Sequence, residues 1–227
     1  MVSYNIHGCV GGDGRCDVER IATVLGLLAP DVAALQEVDS RSSRGGLDQA
    51  NLLACRLGMG AVEGPLLRER RGHYGNAVLS RWPLRRLAEG AYSAQNHERR
   101  GWLAVEVAPP GQATWRVLVT HLDLRGTVRT AQLRELAAVA AELDGPLVLA
   151  GDLNEWRPWR SGLAGLPEVV DLLPARPSFP ALLPMLALDR LGTRRLVRRR
   201  GPCTDRSPLA RRASDHLPVW ADLAVDG

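Results

Sequence analysis

A mixed α/β sandwich, rather than a wholly parallel nucleotide-binding sheet, is the fold class the sequence predicts. Short apolar, strand-like runs alternate with segments whose apolar residues recur at helical spacing. The turn Pro109-Pro110-Gly111 joins two strand-like segments directly, so antiparallel hairpins are mixed with helical crossovers. No GxGxxG follows a strand, which removes the fingerprint of a dinucleotide-binding sheet.

Each element has its own signal. From Val2 to His7, apolar Val2, Tyr4 and Ile6 alternate with polar Ser3, Asn5 and His7, which predicts a half-buried strand with Asn5 and His7 on one face. A glycine-rich loop spans Gly8 to Arg15. Asp17 then caps a helix in which Val18, Ile21, Leu25 and Leu28 form one face until Pro30 stops it. A buried strand from Asp31 to Leu35 ends on Gln36-Glu37, and a second helix from about Leu47 to Leu57 is stopped by Gly58. Strand-like segments lie at Gly75 to Ser80, Trp102 to Val107 and Trp115 to Leu122. A helix from Thr127 to Leu143 leads through Gly145-Pro146 into the buried strand Leu147 to Ala150, which ends at Gly151-Asp152-Leu153-Asn154. Pro174 to Pro184 reads as a surface loop crossing between the halves, and short strands are expected at Ala187 to Leu191, Arg194 to Arg200 and Leu217 to Leu223. No repeat, low-complexity tract or long linker divides the chain, so residues 1–227 are expected to form one domain.

Composition narrows the chemistry. All 29 basic residues are arginine, which excludes Schiff-base catalysis, a pyridoxal-phosphate anchor and the lysine of a Walker loop. Guanidinium forks suit phosphate and carboxylate oxygens but cannot serve as titrating bases. With 45% hydrophobic and 24% charged residues the chain has the makeup of a globular protein with a sizeable core. Its apolar runs fall short of the roughly 20 residues a membrane span needs, and no charged n-region precedes an apolar h-region, so a cytoplasmic monomer is expected. Four irregularly spaced cysteines do not suggest a disulfide framework, and His7, Cys9 and Cys16 lack the CxxC pair of a zinc knuckle. The net charge of +4 and pI of about 9.2 point to anionic partners without singling out nucleic acid.

Polar residues recur where strands end: Asn5, Glu37, His121, Asp152, Asn154, Asp189 and Asp215-His216. In α/β sheets such positions cluster along one rim, where ligands bind. Glu37 closes an interior run, and a carboxylate there is costly unless a cation or donor meets it.

Taken together and in order, Tyr4-Asn5-Ile6-His7, Leu35-Gln36-Glu37-Val38, Gly75-Asn76-Ala77-Val78-Leu79-Ser80, Thr120-His121-Leu122, Gly151-Asp152-Leu153-Asn154, Leu188-Asp189-Arg190 and Ser214-Asp215-His216-Leu217-Pro218 resemble the endonuclease/exonuclease/phosphatase superfamily, the deoxyribonuclease I-like fold. The resemblance spans nearly the whole chain. It implies a four-layer α/β sandwich, with two mixed β-sheets face to face and helices outside. It also implies a Mg²⁺-dependent phosphoesterase site, with Mn²⁺ as a possible substitute. By motif, Glu37 would be the principal metal ligand, helped by Asn5 and Asp215, and oxygen ligands of this kind fit Mg²⁺ or Mn²⁺ better than zinc. Asp152 would activate the attacking water, Asn154 would donate to phosphoryl oxygens, and Asp189 would hold a protonated His216 against the scissile phosphate. His121 would contact phosphate or protonate the leaving oxygen, unless it is a core histidine. Asn76 resembles a site asparagine, with a structural hydrogen bond as the other reading. His7 departs from the acid several branches carry there and leaves the number of metals open. His73 and His97, outside any motif, read as solvated loop histidines.

Substrate signals are weaker. Arg194, Arg195, Arg198, Arg199 and Arg200, followed by Arg206, Arg211 and Arg212, lie between Asp189 and Asp215 or close to it. They form either a solvated edge strand or a phosphate-facing rim. Arg129 with Gln132, and Arg190 beside Asp189, are expected to turn toward substrate. Trp156 and Trp159, flanking Arg157 and Arg160, could stack on a base, lie in a lipid interface or simply pack. The substrate is therefore a phosphate-bearing molecule: a nucleic acid, a phospholipid or an inositol-type phosphate. The competing class is a non-catalytic module that kept the fold to hold an anion, for which a water-activating acid would have no use.

Overall fold

The computed structural model describes residues 1–95, 98–156 and 163–225. β1 (Val2–Asn5), α1 (Val18–Leu28), β2 (Val32–Asp39) and α2 (Gln49–Leu57) are followed by the strands β3 (Gly60–Arg68), β4 (His73–Ser80), β5 (Leu84–Ala91), β6 (Gly101–Val107) and β7 (Trp115–His121). α3 (Gly126–Glu142), β8 (Leu147–Asp152), β9 (Asp171–Leu172), β10 (Asp189–Arg194), β11 (Leu196–Thr204), α4 (Pro208–Ala213) and β12 (Val219–Val225) complete the order. Two six-stranded sheets result, one ordered β11-β12-β1-β2-β4-β3 and the other β5-β6-β7-β8-β10-β9. Each is mixed: β1 and β2 are parallel in the first, β7 and β8 in the second, and the remaining pairs are antiparallel.

Strand alternation assigns side chains to layers. On β2, Val32 and Ala34 enter the core between the sheets, while Ala33 and Leu35 meet α1 and α2 on the outside. On β8, Val148 and Ala150 point between the sheets, and Leu147 and Leu149 pack toward Leu133, Leu136 and Ala140 of α3. Strands buried on both faces read as unbroken apolar runs, which is why these two were legible. The described residues therefore stack as helices, sheet, sheet, helix, the four-layer α/β sandwich expected.

Boundaries moved where a capping group or a turn decides them. The second helix starts at Gln49 rather than Leu47 because the Asp48 side chain accepts the Asn51 backbone N–H. The first strand ends at Asn5: Ile6 turns into the right-handed helical region and His7 takes a φ of 48°, so His7 leaves the face it was expected to share with Asn5. β3 and β5, at the sheet edges, carry glycines and charges that mask their period. The 174–184 segment, read as a surface loop, has Ser178 and Ala181 buried instead, and its backbone is bonded to the Asp215–Leu217 turn.

Candidate active site

The same alternation aims the polar strand ends. Val117, Val119 and His121 share the inter-sheet face of β7, as do Val148, Ala150 and Asp152 on β8, and Leu191 and Asp189 on β10. Register then lines them up, because His121 pairs with Asp152 across the parallel ladder and Asp189 pairs with Asp152 across the antiparallel one. From the other sheet Asn5 lies on the Met1 face of β1. Its Nδ2 donates to Asp152 Oδ2 at 3.2 Å and to Glu37 Oε1 at 3.1 Å, bridging the two sheets at their open rim.

Glu37 reaches that rim through a bulge. Leu35 pairs with Ala77 and Val38 with Gly75, so Gln36 and Glu37 together oppose Asn76. The extra residue lets Leu35 and Val38 both face the helices. It also holds Glu37 at a φ of 58°, a left-handed conformation that costs a non-glycine residue on the order of 1–3 kcal/mol and persists where the surroundings over-determine it. Beside it, Asn76 Nδ2 donates to Gly101 O at 3.2 Å, tying β4 to β6, while its Oδ1 is buried without a partner among the described residues.

Asp152 is the hub. Its Oδ1 accepts the Asn154 backbone N–H at 2.9 Å, and its Oδ2 lies 3.3 Å from His121 Nε2 and 3.6 Å from His216 Nε2. Burial pushes its carboxyl up to about 6 against the opposing pull of His216. His216 Nδ1 sits 2.8 Å from Asp189 Oδ2, which also accepts from Ser178 Oγ at 2.5 Å, and the Phe179 ring packs on the imidazole at 4.8 Å. Burial alone would favour neutral His216, but Asp189 and then Asp152 outweigh it and raise its pKa to about 10. His121 goes the other way: burial, the Arg100 guanidinium and His216 hold it well below the usual imidazole range. Arg100 Nη1 donates to His121 Nδ1 at 2.7 Å, which leaves the single ring proton on Nε2, toward Asp152. Held neutral, His121 stands as a hydrogen-bond donor toward Asp152. Asn154, at a φ of 49°, donates through Nδ2 to Leu122 O at 2.8 Å and faces His121 Nε2 at 3.3 Å.

The two arginines expected to meet substrate are used otherwise. Arg129 is 3% exposed, with Nε and Nη2 on Glu155 Oε2 and Nη1 on the carbonyls of Asp123 and Leu124. It clamps the loop after Asn154. Replacing Arg129 with alanine should therefore lower stability by about 2–4 kcal/mol, because a buried ion pair and two bonds to loop carbonyls are lost together, which denaturant unfolding would measure. Arg190 alternates to the face of β10 opposite Asp189, is buried, and bonds Ala187 O, with burial lowering its pKa against the pull of Glu155. The first part of the arginine run, Arg194 to Arg200, is likewise misplaced for a rim: Arg194 pairs with Leu147 at the start of β8, and Arg198 and Arg200 pair with Leu223 and Asp222 on β12. That is the pole away from Asp152. Of the other groups, Asp215 stands at the outer edge, 43% exposed and 3.7 Å from His7 Nδ1. His73 is not a solvated loop residue but opens β4 and pairs with Glu63 at 2.5 Å. Trp156 is half exposed, while His97, Arg157, Trp159 and Arg160 lie outside the described residues.

Arg100, Ser178 and Phe179 were not legible as site residues. Arg100 follows another arginine ahead of a strand and reads as a solvated pair, while Ser178 and Phe179 sit in a proline-rich segment without periodicity.

The chemistry of the donors suits a divalent cation. Asp152, Asp189 and His216 present ligand atoms within 4.8 Å of one another, but Asp189 and His216 are already bonded together. Glu37 differs: burial raises its pKa even with Asn5 donating to it and Arg100 nearby, so its charge is under-compensated where a hard cation would be stabilised.

Comparison with known proteins places this arrangement. The model of the Endonuclease/Exonuclease/phosphatase family matches residues 2–216. An uncharacterized protein, YbhP of Escherichia coli (strain K12), is 38% identical over 164 residues, covering 67% of this chain and 63% of that protein, so the match spans less than two thirds of the curated relative's length. The endonuclease/exonuclease/phosphatase from Beutenbergia cavernae superposes with a TM-score of 0.75 at 26% identity, over 100% of this chain and 71% of its own. A humanized D. rerio TDP2 (TM-score 0.75, 19% identity, 99% and 98% coverage) and a mannosyl-6-phosphatase of Bacteroides thetaiotaomicron (0.70, 16%, 98% and 98%) share the fold.

Proposed function

The chain belongs to the endonuclease/exonuclease/phosphatase family, and from that premise we propose that it is a Mg²⁺-dependent phosphoesterase whose water-activating base is Asp152. The observation that carries this reading is the Asp152 carboxylate, buried, raised to about 6, and facing a neutral His121 and a charged His216 at once. Two imidazoles driven apart in pKa around one carboxylate divide donor, acid and base roles among three side chains. An anion-binding module would gain nothing from a buried base.

In this reading Asp152 Oδ2 takes the proton of a water as its oxygen bonds to phosphorus; the in-line ester P–O bond breaks, and the leaving oxygen keeps the electron pair and is protonated by solvent. His216, held protonated by Asp189, donates to a phosphoryl oxygen and offsets the charge that grows there. The Asn154 amide proton that faces His121 is available to a second phosphoryl oxygen, and His121 with Arg100 keeps Asp152 oriented. Glu37, with Asn5 beside it and Asp215 at the edge, would hold the cation, which when bound supplies further neutralisation of phosphoryl charge.

The deciding experiment is a hydrolysis panel with Mg²⁺ and Mn²⁺ over single- and double-stranded DNA, RNA, phospholipids, inositol phosphates and sugar phosphates, with EDTA as the control. Hydrolysis of at least one class, lost in EDTA and restored by Mg²⁺, is expected. No hydrolysis with either ion, or hydrolysis indifferent to EDTA, overturns the reading. The pH dependence is a second check. The base must be ionised and His216 protonated, so kcat/KM should rise through a pKa of about 6 and fall through about 10, giving a broad plateau.

A further inference from the structure

The mouth of the site carries a hydrophobic feature that phosphoryl chemistry does not need. Leu182, Leu183 and Met185 are 68%, 65% and 66% exposed, three large apolar side chains within four residues. Exposed apolar residues scattered singly are ordinary, but a cluster on one tip marks an interaction surface. The tip is rigidly rooted on catalytic groups: Ala181 N–H donates to Asp215 O at 2.7 Å, Leu217 N–H to Ser178 O at 2.8 Å, and Ser178 Oγ to Asp189. Met185 and Leu186 N–H both return to Phe179 O, at 3.0 and 2.8 Å, closing the loop on itself. These bonds prevent the apolar side chains from folding back onto the core.

The charges around the tip identify its occupant. Arg176 and Arg206 are exposed, and neither forms an ion pair among the described residues. Arg176 donates to Pro202 O at 2.9 Å and Arg206 to Thr204 Oγ1 at 3.3 Å, both neutral acceptors, and Arg211 holds the Leu182 carbonyl. An apolar tip flanked by guanidinium groups without carboxylate partners matches the interface of an anionic bilayer, with acyl chains below and phosphates at the level of the arginines. On the tip itself, leucine and methionine supply no stacking face of the kind a polynucleotide calls for.

We propose that the 176–186 loop and its flanking arginines dock the catalytic mouth on an anionic phospholipid surface, so that the phosphoesters reaching Asp152 are those of lipid headgroups. The substrate assignment rests on the phosphoesterase reading above; the docking does not. The test is therefore vesicle flotation of the full chain carrying Asp152→Asn, which reads binding without turnover.

Flotation with vesicles of phosphatidylglycerol and phosphatidylcholine, and much less with phosphatidylcholine alone, is expected. The triple variant Leu182→Ser, Leu183→Ser, Met185→Ser should reduce partitioning at least tenfold, and Arg176→Gln with Arg206→Gln by at least about fivefold. In an otherwise wild-type background the triple variant should retain hydrolysis of a soluble phosphodiester and lose that of vesicle lipid. Absence of flotation, or equal flotation of both variants, overturns the proposal. So does single-stranded DNA binding weakened by the triple substitution, which would mark a polynucleotide surface. A wild-type oligomer that the triple variant dissolves, without flotation, would mark a self-association face and overturn it equally.

Discussion

Replacing Asp152 with asparagine is expected to lower kcat on a soluble phosphodiester by about 10²–10⁴-fold while the protein stays folded. The carboxamide is nearly isosteric and can still accept the Asn154 N–H through its oxygen, so the loop that follows keeps its anchor. What disappears is the proton acceptor. The fold already disfavours the ionised group, because burial raises the Asp152 pKa despite His216 nearby. Relief of that cost offsets the Asn5 hydrogen bond that an amide nitrogen in place of Oδ2 cannot accept, so Tm should change by no more than a few degrees. Activity within threefold of wild type would remove Asp152 from the base role. A lost activity with a Tm lowered by many degrees would mean instead that the carboxylate is structural.

Why some of this was readable in the chain and some was not follows from range. Asp152, Asp189 and His216 sit where apolar strands stop, so local pattern marked them, and their family order tied distant segments together. The Glu37 bulge could not be read, since a two-against-one mismatch depends on the partner strand, and the successive polar residues Gln36-Glu37 read equally well as the end of the strand. Arg129 looked available because nothing local reports that Glu155, on a loop 26 residues away, comes to meet it. The stretch from Arg194 to Arg200 misled for the opposite reason. It is close to Asp189 in sequence, but β10 carries the chain to the far end of the sheet before the run begins, so proximity along the chain became separation in space. Arg100 is the converse case, an arginine unremarkable in sequence that the fold places against His121.

Replacing Asp189 with asparagine should have the second-largest effect, and its signature lies in the pH profile. Asp189 is the foremost group raising the His216 pKa, and burial opposes it. Without the carboxylate only Asp152 and the more distant Asp215 counter burial, so the His216 pKa falls from about 10 and the imidazolium is lost at lower pH. The sign is fixed: the variant should retain most activity at the acid end and fall progressively as pH rises through neutrality, where wild type stays level. At pH 8 the loss should reach about 10²–10⁴-fold, as for other histidines deprived of an orienting carboxylate. Ser178 adds a control. Its hydroxyl donates to the same Oδ2, and Ser178→Ala should loosen the pair without removing the charge, giving a smaller loss and a base limb that stays near its wild-type position. Profiles of kcat from pH 5.5 to 10 for the three proteins separate the two roles of Asp189. A parallel drop at every pH would mean that it only positions the ring, whereas a shifted base limb means that it keeps His216 charged.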